Sequence, residues 1–168
     1  MHGPHPRLAR VARLSPFICL TLCLSTTASG TTSHPDATAH PSRATAEAAR
    51  RVQETVDEVR TKLALPDEIT AVIVDTHPLV VAVEPIRGGA GTFRVSVEAS
   101  FLDELTDHEL EAVVAHELGH VWIFTHHPFL QTEQLANQIA MRVVSRQALD
   151  AVYEKVWARG GHKGDLPR

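Results

Sequence analysis

The chain has 168 residues, a formal net charge of −4, and 43% hydrophobic but only 5% aromatic residues. That length is enough for one domain and a modest core. The acidic balance excludes the basic surface that nucleic acid requires, so no nucleic-acid partner is expected.

Residues 1–28 read as an export signal. Arg7, Arg10 and Arg13 form a positive start with no acidic residue near them, and Leu14 to Leu24 follow as an apolar core. The small residues Thr26-Thr27-Ala28-Ser29-Gly30 offer cleavage after Ala28 or Gly30. The apolar run is short of the roughly 20 residues that a membrane span needs, and no other stretch is longer. The mature chain is therefore expected to be exported, secreted or periplasmic, without a stable transmembrane segment. Lipidation at Cys23 is disfavoured, because Leu22 stands where a small residue is expected. Cleavage would remove three arginines, taking the formal charge from −4 to −7, and would remove Cys19 and Cys23, which are the 2 cysteines of the chain. Disulfides, thiolate ligands and a cysteine nucleophile are thereby excluded.

Residues 29–43 are rich in Thr, Ser, His, Pro and Ala and read as a flexible tether, with His34 and His40 as solvated residues of it. The domain proper is expected over residues 44–160. Ala44 to Leu65 repeats Val52, Val56, Val59 and Leu63 at helical steps, and Pro66 ends it. Ile69–Val74 and Leu79–Val83 are β-branched runs separated by the turn signal Asp75-Thr76-His77-Pro78. Gly88-Gly89-Ala90-Gly91 is a further turn. No Lys-Ser/Thr follows it, so it does not match a phosphate loop. Thr92 to Glu98 alternates apolar and polar side chains, as a strand with one solvated face does.

Thr106-Asp107-His108-Glu109 is a capping box. It opens a helix that should run through His120 to about Thr125 and break at His126-His127-Pro128. A long final helix is expected from about Thr132 to Ala158, with residues 161–168 as a disordered tail. The order predicts an α+β domain, with a short antiparallel sheet packed against the helices.

Chemistry concentrates in His116-Glu117-Leu118-Gly119-His120. Two histidines four apart on a helix lie one turn apart on one face and can reach the same ion. The glutamate beside the first can serve as general base to a water that the metal polarises. Flanking Val113-Val114-Ala115 and Val121-Trp122-Ile123-Phe124 make the helix so apolar that polar groups on it need partners, and a zinc ion is a suitable one. A catalytic zinc needs a third protein ligand. His126 has the spacing of the HExxHxxGxxH pattern, but that pattern wants Gly at the position held here by Ile123. Glu133 is the preferred ligand, early in a helix that can return beside the first and that places Glu133, Asn137 and Ala140 on one face. Asn137 could then accept a hydrogen bond from the non-ligating nitrogen of a histidine.

Val95 to His120, with Phe101-Leu102, Leu105-Thr106 and Glu109-Leu110 before the His-Glu-Leu-Gly-His run, resembles the minimal catalytic core of the HtpX-like and CAAX-protease-like gluzincin zinc metallopeptidases. Glu133-Gln134-Leu135-Ala136-Asn137 matches their later Glu-x-x-Ala-Asp/Asn run and is similar to that of the ImmA/IrrE-type metallopeptidases. The resemblance covers about Ile69 to Ala148. It departs in lacking the transmembrane helices of HtpX itself and in a short interval between His120 and Glu133. It implies a small zincin-like fold, one Zn2+ per chain and peptide or protein substrates. A substrate strand would add to an edge strand near Phe93 to Glu98. His126, His127, Arg142, Tyr153 and His162 are the available candidates for stabilising the oxyanion. The leading expectation is an exported zinc endopeptidase with Glu117 as base. The alternative is a zinc-binding interaction domain that keeps the fold without turnover, a reading in which Glu117 has no task. Oligomeric state is not legible.

Overall fold

A computed structural model describes residues 43–160. The expected signal at 1–28 and tail at 161–168 lie outside them, as does the tether at 29–43 apart from Arg43, which opens the first helix.

Helix α1 (Arg43–Lys62) buries Val52, Val56 and Val59, the stripe that its periodicity demands, and leaves its charges on the other face. It lies against strand β1 (Glu68–Val74) and against the central helix α3 (Asp107–His126). Strand β2 (Val81–Pro85) and strand β3 (Thr92–Glu98) form a hairpin across a loop in which Gly88 and Gly91 take φ of +82° and +70°, a region open to glycine at little cost. A one-turn helix, α2 (Ala99–Leu102), leads into α3.

The sheet is mixed, not antiparallel as the turn signals suggest. Its order is β1-β3-β2, with β1 parallel and β2 antiparallel to β3. Phe93, Val95 and Val97 are at most 3% exposed, and a strand so fully covered gains most from neighbours on both sides. β1 and β2 therefore flank β3 and do not pair with each other. In consequence the stretch Phe93 to Glu98 has no free edge, and the edge strand beside α3 is β2.

Helix α3 buries Leu110, Ala112 to Ala115, Leu118, Gly119, Val121 and Ile123, so it is covered on most of its circumference. After it come a 3-10 turn (Pro128–Leu130), α4 (Glu133–Ala140) and α5 (Arg146–Gly160). The single long C-terminal helix expected from Thr132 is thus two helices. Ser145 accounts for the break: its hydroxyl accepts from the Ala148 N–H at 3.2 Å and starts a new helix. Among the described residues no helix is long and apolar enough to cross a membrane.

Candidate metal centre

The capping box fixes the start of α3. Thr106 Oγ1 accepts from Glu109 N–H at 3.3 Å, and the Glu109 carboxylate accepts from Thr106 N–H at 2.8 Å. From that start the helix carries His116 and His120 to its mid-length, one turn apart, with their Nε2 atoms 3.3 Å apart. Thr132 caps α4, its hydroxyl accepting from Leu135 N–H at 3.2 Å. This puts Glu133 in the first turn of α4, where Oε2 stands 3.1 Å from His116 Nε2 and Oε1 3.4 Å from His120 Nε2.

The two histidine nitrogens, 3.3 Å apart, each face a different oxygen of the Glu133 carboxylate, at 3.1 and 3.4 Å, so one nitrogen from each ring and one carboxylate oxygen can converge on a single ion. Ligands bound to a tetrahedral zinc at about 2.0–2.1 Å stand about 3.3 Å from one another. The other nitrogen of each ring is engaged by an amide. His116 Nδ1 is 2.9 Å from Asn137 Oδ1, and His120 Nδ1 is 3.1 Å from Gln131 Oε1. Gln131 Nε2 donates to the His120 carbonyl at 3.2 Å, which leaves Oε1 for the imidazole. Rings that donate from Nδ1 carry their lone pairs on Nε2. Two such lone pairs and a carboxylate then face one another, an arrangement that favours a cation between them. The donor set fits zinc, and among the described residues it is the one group of this kind.

Electrostatics follow from the same contacts. Where the rings instead carry a proton on Nε2, hydrogen bonds from His116 and then His120 hold Glu133 well below the usual carboxylate range. Burial pulls His120 down, but its hydrogen bond to Glu133 and the charges of Glu117 and Glu133 outweigh burial and leave it raised. Glu117, partly buried where α3 meets β2, accepts from the Val83 backbone N–H. Burial pushes its carboxyl above its ordinary value against the pull of His116 and His120.

The structure thus gathers His116, Glu117, His120, Glu133 and Asn137 as the spacing predicts. His126 is elsewhere: it ends α3, stacked on Trp122 at 4.2 Å with Nδ1 2.9 Å from the Trp122 carbonyl oxygen. Arg142 lies over the same indole at 5.0 Å. Tyr153 stands behind the centre. Its hydroxyl is 3.0 Å from Asn137 Nδ2 and 3.4 Å from His116 Nδ1, on the side of the ring away from Nε2. That position does not suit an oxyanion stabiliser. Gln131 escapes the sequence reading, although its place two residues before Glu133, in the turn that must return to His120, is a usable signal.

A histidine pair one turn apart, an adjoining half-buried glutamate and a second carboxylate from the next helix, on a small α+β scaffold, have the form of a gluzincin-type metal centre. The chain belongs to peptidase family M48, a family of zinc metallopeptidases, whose family model matches residues 46–162. It is similar to the protease HtpX homologues of three Pyrobaculum species. It is 39% identical over 70 residues to that of P. calidifontis, covering 42% of this chain and 20% of the relative. The identity is 41% over 70 residues for P. islandicum and 42% over 71 for P. aerophilum, each covering 42% of this chain and 19% of the relative. The chain therefore spans about a fifth of the length of these relatives. No solved structure matches it.

Proposed function

We propose that this chain is an exported zinc-dependent endopeptidase that holds one zinc ion through His116, His120 and Glu133. The observation that carries the reading is the convergence of two imidazole nitrogens and the Glu133 carboxylate beside the half-buried Glu117. When bound there, zinc would supply Lewis-acid polarisation of a water and of the scissile carbonyl. Glu117 takes the proton from the attacking water and returns it to the leaving amine nitrogen. A carboxyl raised by burial suits both halves of that task, since it is a stronger acceptor of the water's proton than an ordinary carboxylate and can still pass that proton on. Asn137 and Gln131 hold the imidazoles by their Nδ1 atoms.

A peptide substrate would add as a strand to β2. Val80 accepts from Glu98, and Ile86 donates to Thr92. In this register the even-numbered residues of β2 face β3, and Val81, Val83 and Pro85 turn their carbonyl groups to the free edge, while the Val81 N–H donates to the Leu79 carbonyl and the Val83 N–H to Glu117. Pro85 presents no donor, as befits an edge strand. Backbone pairing of this kind recognises extended chain more than side-chain identity. Export rests on the arginine-flanked apolar segment at residues 1–28.

The test compares wild type, Glu117→Gln and chelated protein on a broad peptide library. Glutamine is nearly isosteric and should leave zinc bound and the fold intact. Hydrolysis should fall at least about 10²–10⁴-fold, the usual worth of a general base. Turnover equal to wild type in the glutamine variant would refute the mechanism. Zinc binding without turnover in either protein would instead favour the interaction-domain reading.

A further inference from the structure

The hydrogen bonds behind the histidine pair cross three helices. His116 belongs to α3, Asn137 to α4 and Tyr153 to α5. The Tyr153 hydroxyl stands 3.0 Å from Asn137 Nδ2 and 3.1 Å from Asn137 Oδ1, and its ring meets the His116 ring edge-on at 5.7 Å. Asn137 is only 9% exposed, so its amide has little water to turn to. Helix α5 is in turn held to the rest of the domain. Lys155 Nζ donates to Glu109 at 2.7 Å and to the Glu104 carbonyl at 2.6 Å. Arg159 donates to Glu98, Ser100 and Glu104.

Resting on the metal-centre reading above, we propose that Tyr153 is a positioning residue for the zinc site: its phenol holds the Asn137 amide so that Oδ1 faces His116 Nδ1. The chemistry turns on a property of asparagine. Its amide has an acceptor at one end and donors at the other. With Oδ1 against Nδ1, the imidazole carries its proton on Nδ1 and offers the Nε2 lone pair to the metal. With the amide rotated by half a turn, Nδ2 would face Nδ1 and favour the tautomer protonated on Nε2, which cannot ligate. The phenol reaches both ends of the amide, accepting from Nδ2 at 3.0 Å and able to donate to Oδ1 at 3.1 Å, so it pins the amide beside His116. Removing it takes away both contacts and leaves the amide free to turn.

Aspartate at the same position has no such ambiguity, because both of its oxygens accept. Tyr153 should therefore matter when residue 137 is asparagine and cease to matter when it is aspartate. A residue that merely fills space would be needed equally in both backgrounds.

The experiment measures zinc affinity by competition with a chromogenic chelator in four proteins: wild type, Tyr153→Phe, Asn137→Asp, and the double variant. Thermal unfolding of the zinc-free forms is recorded in parallel. Phenylalanine keeps the ring packed and loses only the hydroxyl. The expected result is an affinity lowered about 10-fold in Tyr153→Phe, the lower end of the range for lost support behind a metal ligand. Asn137→Asp should restore it to within about 2-fold of the Asn137→Asp protein alone, an effect small beside that lower end. Unchanged affinity in Tyr153→Phe overturns the proposal. So does an equal loss in both backgrounds, or a loss that follows a collapse of zinc-free stability. Failure of the wild type itself to bind zinc would overturn the metal-centre reading and this inference with it.

Discussion

Gly119 of α3 lies directly against the Ala136 carbonyl of α4: a Cβ at Gly119 would stand 2.6 Å from that oxygen and 3.1 Å from Ala136 Cα. The contact sits between the two histidines on one helix and between Glu133 and Asn137 on the other. Two small residues thus set the spacing of the helix backbones. That spacing lets one carboxylate reach both Nε2 atoms while an amide reaches Nδ1 from behind.

Gly119→Ala should therefore destabilise the protein, although alanine is the better helix former by about 1 kcal/mol. The obstructing atom is backbone, so relief requires α4 to move, and overpacking of this kind costs about 1–3 kcal/mol. Moving α4 also carries Glu133 away, so zinc affinity should fall with no donor changed. Thermal unfolding and metal analysis of the variant check this. A wild-type midpoint together with wild-type zinc content would show that the helices have slack.

The sequence made the centre legible because its geometry is local. A histidine pair one turn apart, a capping box and an i, i+4 relation between Glu133 and Asn137 all follow from helix periodicity. Features that depend on partners elsewhere were less accessible. The hairpin β2–β3 can be read from its glycines, but the placing of β1 on the far side of β3 depends on which strand is most completely buried. The stretch Phe93 to Glu98, expected to offer an edge to substrate, is an interior strand for that reason. The stop at Ala140 was hidden because the apolar spacing of Ile139, Val143 and Val144 continues past it, and only the Ser145 cap betrays the break. Tyr153 meets Asn137 across 16 residues of chain, a distance at which no local pattern speaks.

Metal analysis of single variants should separate Glu133 from His126. The structure puts Glu133 within 3.4 Å of both histidine nitrogens and ties His126 to Trp122. Glu133→Ala should lose most of its zinc and His126→Ala should keep it. Full zinc in Glu133→Ala, with loss in His126→Ala, would move the third ligand to the end of α3.

Expressed with its own N-terminus in a host that exports proteins, the chain should be recovered outside the cytoplasm beginning after Ala28 or Gly30. The positive start and short apolar core motivate this. N-terminal sequencing decides it, and Met1 retained on a membrane-bound product would contradict it.

Glu109→Gln should cost stability at neutral pH and cost little in acid. The Glu109 side chain is 13% exposed and accepts from Lys155 Nζ at 2.7 Å. That bond, more than the capping contacts with Thr106, holds its carboxyl below the ordinary value despite burial. Because the folded value lies below the unfolded one, the unfolded chain binds more protons at this site between the two. The contribution is therefore complete above the unfolded value of about 4.3 and is lost as pH falls through the folded value. Glutamine at the same position still closes the capping box, so the variant isolates the charge. Loss of a hydrogen bond to a charged partner points to about 1–2 kcal/mol at pH 7. Denaturant unfolding of both proteins at pH 7 and pH 3 measures it. The zinc-free forms are required, because ligand protonation would otherwise add its own pH dependence. A gap between the two proteins that is as wide at pH 3 as at pH 7 would assign the effect to packing and remove Lys155 from the account.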